Sequence, residues 1–198
     1  MNDNNMNDNN INNNTSDNSK YLTTDNFEIS NYMEKLLEQY SNSFDITRNY
    51  TIGNTTAYAY GFYSSFSEKY VLTPKANLWS IKGFEHILFI CRDVITEDDI
   101  ANAKRLMENE MSDQLVCKGN KYPEKDHMYS YVTVAFICNN TPEDEVIKAV
   151  TSYKYEKNYL FTIRGHVEGH MIIMDLSSGR AYTNKAAKHL VEYYQNIK

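Results

Sequence analysis

The stretch Met128–Cys138, Met-Tyr-Ser-Tyr-Val-Thr-Val-Ala-Phe-Ile-Cys, constrains the fold more than any other part of the chain. It carries no charge, is rich in β-branched and aromatic residues, and is stopped by Asn139-Asn140-Thr141-Pro142. Its apolar residues fall on both parities, which is the pattern of a strand covered on both faces. A central strand follows, in a sheet with helices on at least one side.

The elements around it are read from spacing and punctuation. Residues 1–26 are low in complexity: Asn recurs through Asn2, Asn4, Asn5, Asn7, Asn9, Asn10 and Asn12–Asn14, with Asp3, Asp8 and Asp17 between. Such a segment buries too little apolar surface to offset its ordering entropy. A disordered Asn-rich tail is therefore expected, with 27–198 as a single domain. A helix is predicted over Asn31–Tyr40, with Asn31 and Glu34 as a capping box and Met33, Leu36, Leu37 and Tyr40 as its stripe. Strands are predicted at Phe44–Ile52 and Thr56–Phe66. A turn at Ser67-Glu68 then leads to a short strand, Lys69–Thr73, ended by Pro74. Phe84–Cys91 is a second apolar strand.

Thr96 followed by Glu97-Asp98-Asp99 caps a long helix with the stripe Ile100, Ala103, Met107, Met111 and Leu115. With the strands on either side it forms a βαβ unit, whose strands are expected to be parallel with a right-handed crossover. Thr141-Pro142 opens a short helix facing inward through Val146, Ile147 and Val150. Tyr155–Arg164 and His170–Leu176 read as two strands joined through Gly165–Gly169. A short strand at Ala181-Tyr182 precedes a last helix capped by Thr183. The expected class is α+β: one domain with a mixed or mainly antiparallel sheet packed by three to four helices.

The net charge of −6 and a pI near 5.4 argue against a general binder of nucleic acid or of anionic membrane, although a local basic patch is compatible with both numbers. The cysteines, Cys91, Cys117 and Cys138, are odd in number and widely spaced, with no CxxC. That pattern suits a reducing compartment. With no apolar leader in residues 1–20 and no stretch of spanning length, a soluble, cytoplasmic location is expected.

The segments Ser67–Ser80 (Ser-Glu-Lys-Tyr-Val-Leu-Thr-Pro-Lys-Ala-Asn-Leu-Trp-Ser), His127–Tyr131, Asp175–Gly179 and Thr183–Lys185 resemble a bacterial family of uncharacterised soluble domains, a domain of unknown function. The resemblance covers roughly residue 30 to the C-terminus. It implies a single soluble domain and brings no activity or site residues with it.

Two stretches could carry chemistry. Gly165-His166-Val167-Glu168-Gly169-His170 places two imidazoles and a carboxylate within five residues, a donor set suited to a divalent metal. Read as a hairpin, it sets His166 and His170 on opposing strands, with His127 able to add a third ligand. The plain alternative is a polar hairpin, and neither His-Glu-x-x-His nor Pro-Cys-x-x-Cys is present. The second stretch is the helix start at Thr183, with Arg180, Lys185 and Lys188 nearby. Free amides beside cations make an anion site; the alternative is an ordinary cap with solvated lysines. No phosphate-loop motif and no GxSxG elbow occurs, and Cys117, beside Lys118, reads as the most exposed thiol. The alternating Tyr58, Tyr60 and Phe62 read as a sheet face under the first helix, or as a stacking surface. These features favour a non-enzymatic module that binds a small anionic ligand or a protein partner, without a cofactor, without general nucleic-acid binding and without a membrane role. The alternative is a small metal-dependent enzyme using His166, Glu168 and His170.

Overall fold

The computed structural model describes residues 27–70 and 77–197; the Asn-rich segment 1–26 and the end of the short strand expected at Lys69–Thr73, with Pro74, lie outside them. A mixed sheet runs through the domain. Its strands are β1 (Asp45–Ile52), β2 (Thr55–Tyr70), β3 (Asn77–Arg92), β4 (His127–Cys138), β5 (Glu156–Asn158), β6 (His166–Asp175) and β7 (Arg180–Thr183). The order is β1-β2-β3-β4-β6-β5, with β7 paired to the C-terminal end of β6. β1, β2 and β3 form an antiparallel meander, whereas β3, β4 and β6 are parallel.

β4 is the middle parallel strand, as its charge-free composition requires. Val132, Val134, Phe136 and Cys138 enter one core, and Ala135 and Ile137 enter the other. The first core lies under α2 (Glu97–Arg105), a π-helix (Leu106–Val116) and α3 (Asp144–Thr151). The second lies under α1 (Phe27–Tyr40) and α4 (Val191–Gln195). There Tyr32 Oη donates to the Tyr194 carbonyl at 2.7 Å, and the Tyr40 and Tyr194 hydroxyls are 3.1 Å apart. These bonds tie the first helix to the last.

Several expectations are corrected. α1 starts four residues early, so Asn31 is internal rather than a cap, and Glu34 instead takes both guanidinium bonds of Arg48 at 2.6 Å. Ser67-Glu68 is no turn: β2 runs on to Tyr70, in register with β3 as far as Lys69 and with a shift before Tyr70. Asn49 (φ 53°) has no partner in the β1–β2 register, and the side-chain alternation breaks opposite it. Tyr58 therefore packs on the α1 side and Tyr60 on the other. Thr96 caps the helix as expected, with Asp99 completing a capping box, but the helix it opens widens after Arg105. Bonds then close five residues back, from Cys117 N–H to the Ser112 carbonyl (3.0 Å) and from Ser112 Oγ to the Met107 carbonyl (2.8 Å). Met107, Met111, Ser112 and Val116 are buried, a wider repeat than the four-residue stripe ending at Leu115. Thr141 does not cap α3; its hydroxyl turns to Asp175.

Asp175 organises the exit from β6, in the Asp175–Gly179 stretch. Its carboxylate accepts from the Ser177 and Ser178 amides (3.0 and 3.3 Å) and from the hydroxyls of Thr141, Ser177 and Ser178 (2.6 Å each). Burial works to raise its pKa, but these bonds outweigh it and hold the carboxyl below the ordinary range. The stabilisation is present above the unfolded carboxylate pKa and is lost as pH falls through the folded value. Asp175→Asn is expected to cost about 1–3 kcal/mol at neutral pH, because the amide cannot accept at both positions. In urea melts, the gap to the native chain should narrow below roughly pH 4, where the unfolded carboxyl takes up its proton.

Candidate functional site

Three parallel strands bring polar side chains to the α1–α4 face of the sheet. Glu85 on β3 is in register with Tyr131 on β4, and Tyr131 with Glu168 on β6. In the next row Ile87 faces Thr133, and Thr133 faces His170. Glu85, Ile87, Thr133 and His170 form the floor of a cleft of ≈ 290 Å³. The end of α1 and its exit turn supply one wall through Tyr40, Ser43 and Phe44; His189, Leu190 and Tyr193 supply the other. The aromatic wall is continuous, with ring centroids 5.0 Å apart for Tyr40–Phe44 and 5.4 Å for Tyr40–Tyr193. No lysine or arginine lines the cleft.

The distribution of hydrogen bonds singles this cleft out. The buried polar side chains of the described residues are Thr55, His86, Ser112, His127, Ser130, Thr133, His170, Asp175 and Asn184. Seven of them are bonded. His86 Nδ1 meets Tyr60 Oη at 2.7 Å, Asn102 donates to Thr55, and Asn184 bridges Met171, Tyr153, Gly169 and Ala187. Thr133 and His170, adjacent in register, are the two that have no hydrogen bond to a described residue, and Glu85 beside them also has none. Among the described residues the fully enclosed side-chain atoms without a partner are Glu110 Oε2 and Asn139 Oδ1, so the polar atoms of Thr133 and His170 are left open to the cleft.

His170 is 3% exposed. Its ring stacks on Tyr131 at 4.9 Å and meets His189 edge-on at 5.7 Å. Glu168 Oε2 stands 3.8 Å from Nε2, beyond hydrogen-bonding distance. Burial, assisted by the charge of His189, pushes its pKa down to about 4, so the imidazole is neutral at pH 7. Burial pushes the Glu85 carboxyl up, with His189 opposing. A neutral imidazole, a hydroxyl and an unpaired carboxyl thus converge on one small space. Such an arrangement can hold a ligand by hydrogen bonds or exchange protons with it.

The candidates from sequence are distributed differently. His166, Glu168 and His170 lie at alternate positions of the single strand β6, not on two arms of a hairpin; the turn comes earlier, at 159–165. His127 is not with them. Its Nδ1 is 2.8 Å from the Arg164 carbonyl, its Nε2 is 2.8 Å from Ser130 Oγ, and its ring stacks on Phe84. Among the described residues no group of three or more His, Cys, Asp or Glu is arranged to hold a metal ion. The helix start expected at Thr183 is also absent. Thr183 ends β7, Arg180 begins it, and Lys188 opens a 3-10 turn before the five-residue α4. Lys185 lines a separate cleft of ≈ 580 Å³, together with Glu156 and Glu168. Cys117 is buried, its Sγ 3.4 Å from Tyr159 Oη, and not an exposed thiol.

Of the cleft residues, sequence reasoning singled out only His170. Glu85, Thr133 and His189 were passed over, although Glu85 and Thr133 each interrupt an apolar strand. That interruption was the available signal. If Thr133 Oγ1 has no structural partner, Thr133→Val should raise stability by about 1 kcal/mol in chemical denaturation, since it removes an unsatisfied hydroxyl and keeps the shape. A loss of similar size would show that the hydroxyl is bonded within the fold.

Comparison with curated proteins and with solved structures returned no match. A family model matches residues 28–196, from the first turn of α1 to just past α4. The chain belongs to the family described as Domain of unknown function (DUF8052).

Proposed function

We propose that this domain is a binding module for a small organic cation, taken up in the cleft over Glu85, Thr133 and His170. One observation carries the reading: Glu85, Thr133 and His170, none of them hydrogen-bonded to a described residue, face one cleft from strands otherwise devoted to core packing. The sign of the ligand follows from the lining. Glu85 is its one carboxyl, no lysine or arginine stands against it, and its walls are the rings of Tyr40, Phe44 and Tyr193. Aromatic faces and a desolvated carboxylate together favour an ammonium group. A cation would also offset the burial that raises the Glu85 pKa. Thr133 and neutral His170 can then bond the polar remainder of the ligand. The volume, ≈ 290 Å³, suits a molecule of amino-acid size or smaller.

The test is a thermal-shift panel of small amines beside carboxylates of matched shape, followed by calorimetry on any hit. Amines should raise the melting temperature and carboxylates should not. Glu85→Gln should weaken the amine at least about tenfold, the loss expected for one desolvated charge contact. Because Glu85 must be ionised to bind a cation, affinity should rise with pH through its raised pKa. Stabilisation by carboxylates alone, or full affinity in Glu85→Gln, would contradict the reading.

A further inference from the structure

A second surface lies at the opposite end of the sheet from the Asp175 turn. Between β5 and β6, Leu160, Phe161 and Thr162 adopt φ of 48°, 53° and 71° in succession. Left-handed backbone is unfavourable for each of these residues, and most of all for β-branched Thr162. The turn is nonetheless tightly held. Tyr159 N–H bonds the Gly165 carbonyl at 3.0 Å, Gly165 N–H bonds the Thr162 carbonyl at 2.8 Å, and His127 holds the Arg164 carbonyl from below. Gly165 itself has φ 76°, and a Cβ there would lie 2.5 Å from His127 Nδ1. The strain stabilises no core. It presents Phe161 and Ile163 to solvent at 97% and 80% exposure.

Cations surround these side chains. Arg164 follows directly in the turn and lines a notch of ≈ 330 Å³ with Lys118 and Lys121. Lys82 lies on the same rim, in register with His127, and Lys125 and Lys157 sit in the flanking segments. Among the described residues four carboxylates stand beside these six cations: Glu124, shared by Lys82 and Lys118, then Asp126, Asp113 at 3.9 Å from Lys157, and Glu156 next to Lys157 in β5. On a chain of net charge −6 this is a local reversal of sign.

We infer that this rim docks on an anionic lipid surface, with Phe161 and Ile163 inserted among the acyl chains and Lys118, Lys121 and Arg164 on the headgroup phosphates. A convex turn of apolar side chains ringed by cations fits a bilayer interface, where apolar burial and electrostatic attraction act together. It fits a protein partner less well, since a stable interface needs about 800 Å² a side of complementary surface. The acidic charge of the whole chain hides this rim from any composition-level argument.

The test is co-sedimentation of the full chain with vesicles of phosphatidylcholine alone and of phosphatidylcholine mixed with phosphatidylglycerol. Binding is expected to the mixed vesicles only, and it should weaken as salt is raised. Phe161→Ser with Ile163→Ser, and separately Lys121→Glu with Arg164→Glu, should each reduce partitioning by about tenfold or more. Phe161→Ser alone serves if the double variant fails to fold by circular dichroism. Equal sedimentation with both vesicle types, none with either, or full binding by the Phe161 variants would overturn the proposal. So would light scattering that shows a dimer which Phe161→Ser disperses, because the rim would then be a contact between copies of the chain.

Discussion

The coverage of β4 on both faces and both edges is the constraint from which the rest of the structure follows. A strand hydrogen-bonded to parallel neighbours on each side has no exposed edge, and helices on both faces leave it no wet side. Every side chain from Val132 to Cys138 is accordingly buried, and each apolar one belongs either to the core under α2, the π-helix and α3 or to the core under α1 and α4. A polar residue in such a place is costly unless it is bonded. Thr133 is that residue on β4, with His170 beside it on β6, and the cleft above them is the opening in the α1–α4 layer. The tyrosine contacts from Tyr32 and Tyr40 to Tyr194 hold the two walls of that opening at a fixed separation.

The two surfaces singled out lie at different places and differ in chemistry. The cleft is concave and aromatic, with a single carboxylate and no lysine or arginine in its lining; the rim at Phe161 is convex, apolar and ringed by cations. His127 serves the second and not the first, which is why the three histidines do not act as one group. With both ring nitrogens bonded, its part is to position the turn at 159–165.

Much of the fold was legible because it rests on local rules. The parity of Met128–Cys138 gave the central strand, Thr96 before three acids gave the helix cap, and the βαβ arrangement gave parallel strands β3 and β4. The misses came where a non-local partner overrides the local pattern. Ser67-Glu68 looks like a turn until β3 is there to pair with it, and Thr141 looks like a cap until Asp175 is near enough to bond its hydroxyl. The π-helix was hidden because Ser112 reads as polar, although its hydroxyl bonds the Met107 carbonyl and lets it enter the core. The candidate cleft was less legible still. Glu85, Thr133 and His189 are far apart in sequence, and only strand register and helix packing bring them together. The His166–His170 spacing attracted notice because it was local, yet alternate positions on one strand do not close around an ion.

The central claim is that His170 is buried, neutral and without a hydrogen bond to a described residue. Its imidazole nitrogen shifts, followed by NMR through a pH titration of the ligand-free domain, test that claim most directly. The imidazole should remain neutral to about pH 4, with shifts typical of a weakly bonded ring. Titration near the ordinary histidine value of roughly 6.5 would place the ring in water and contradict the account.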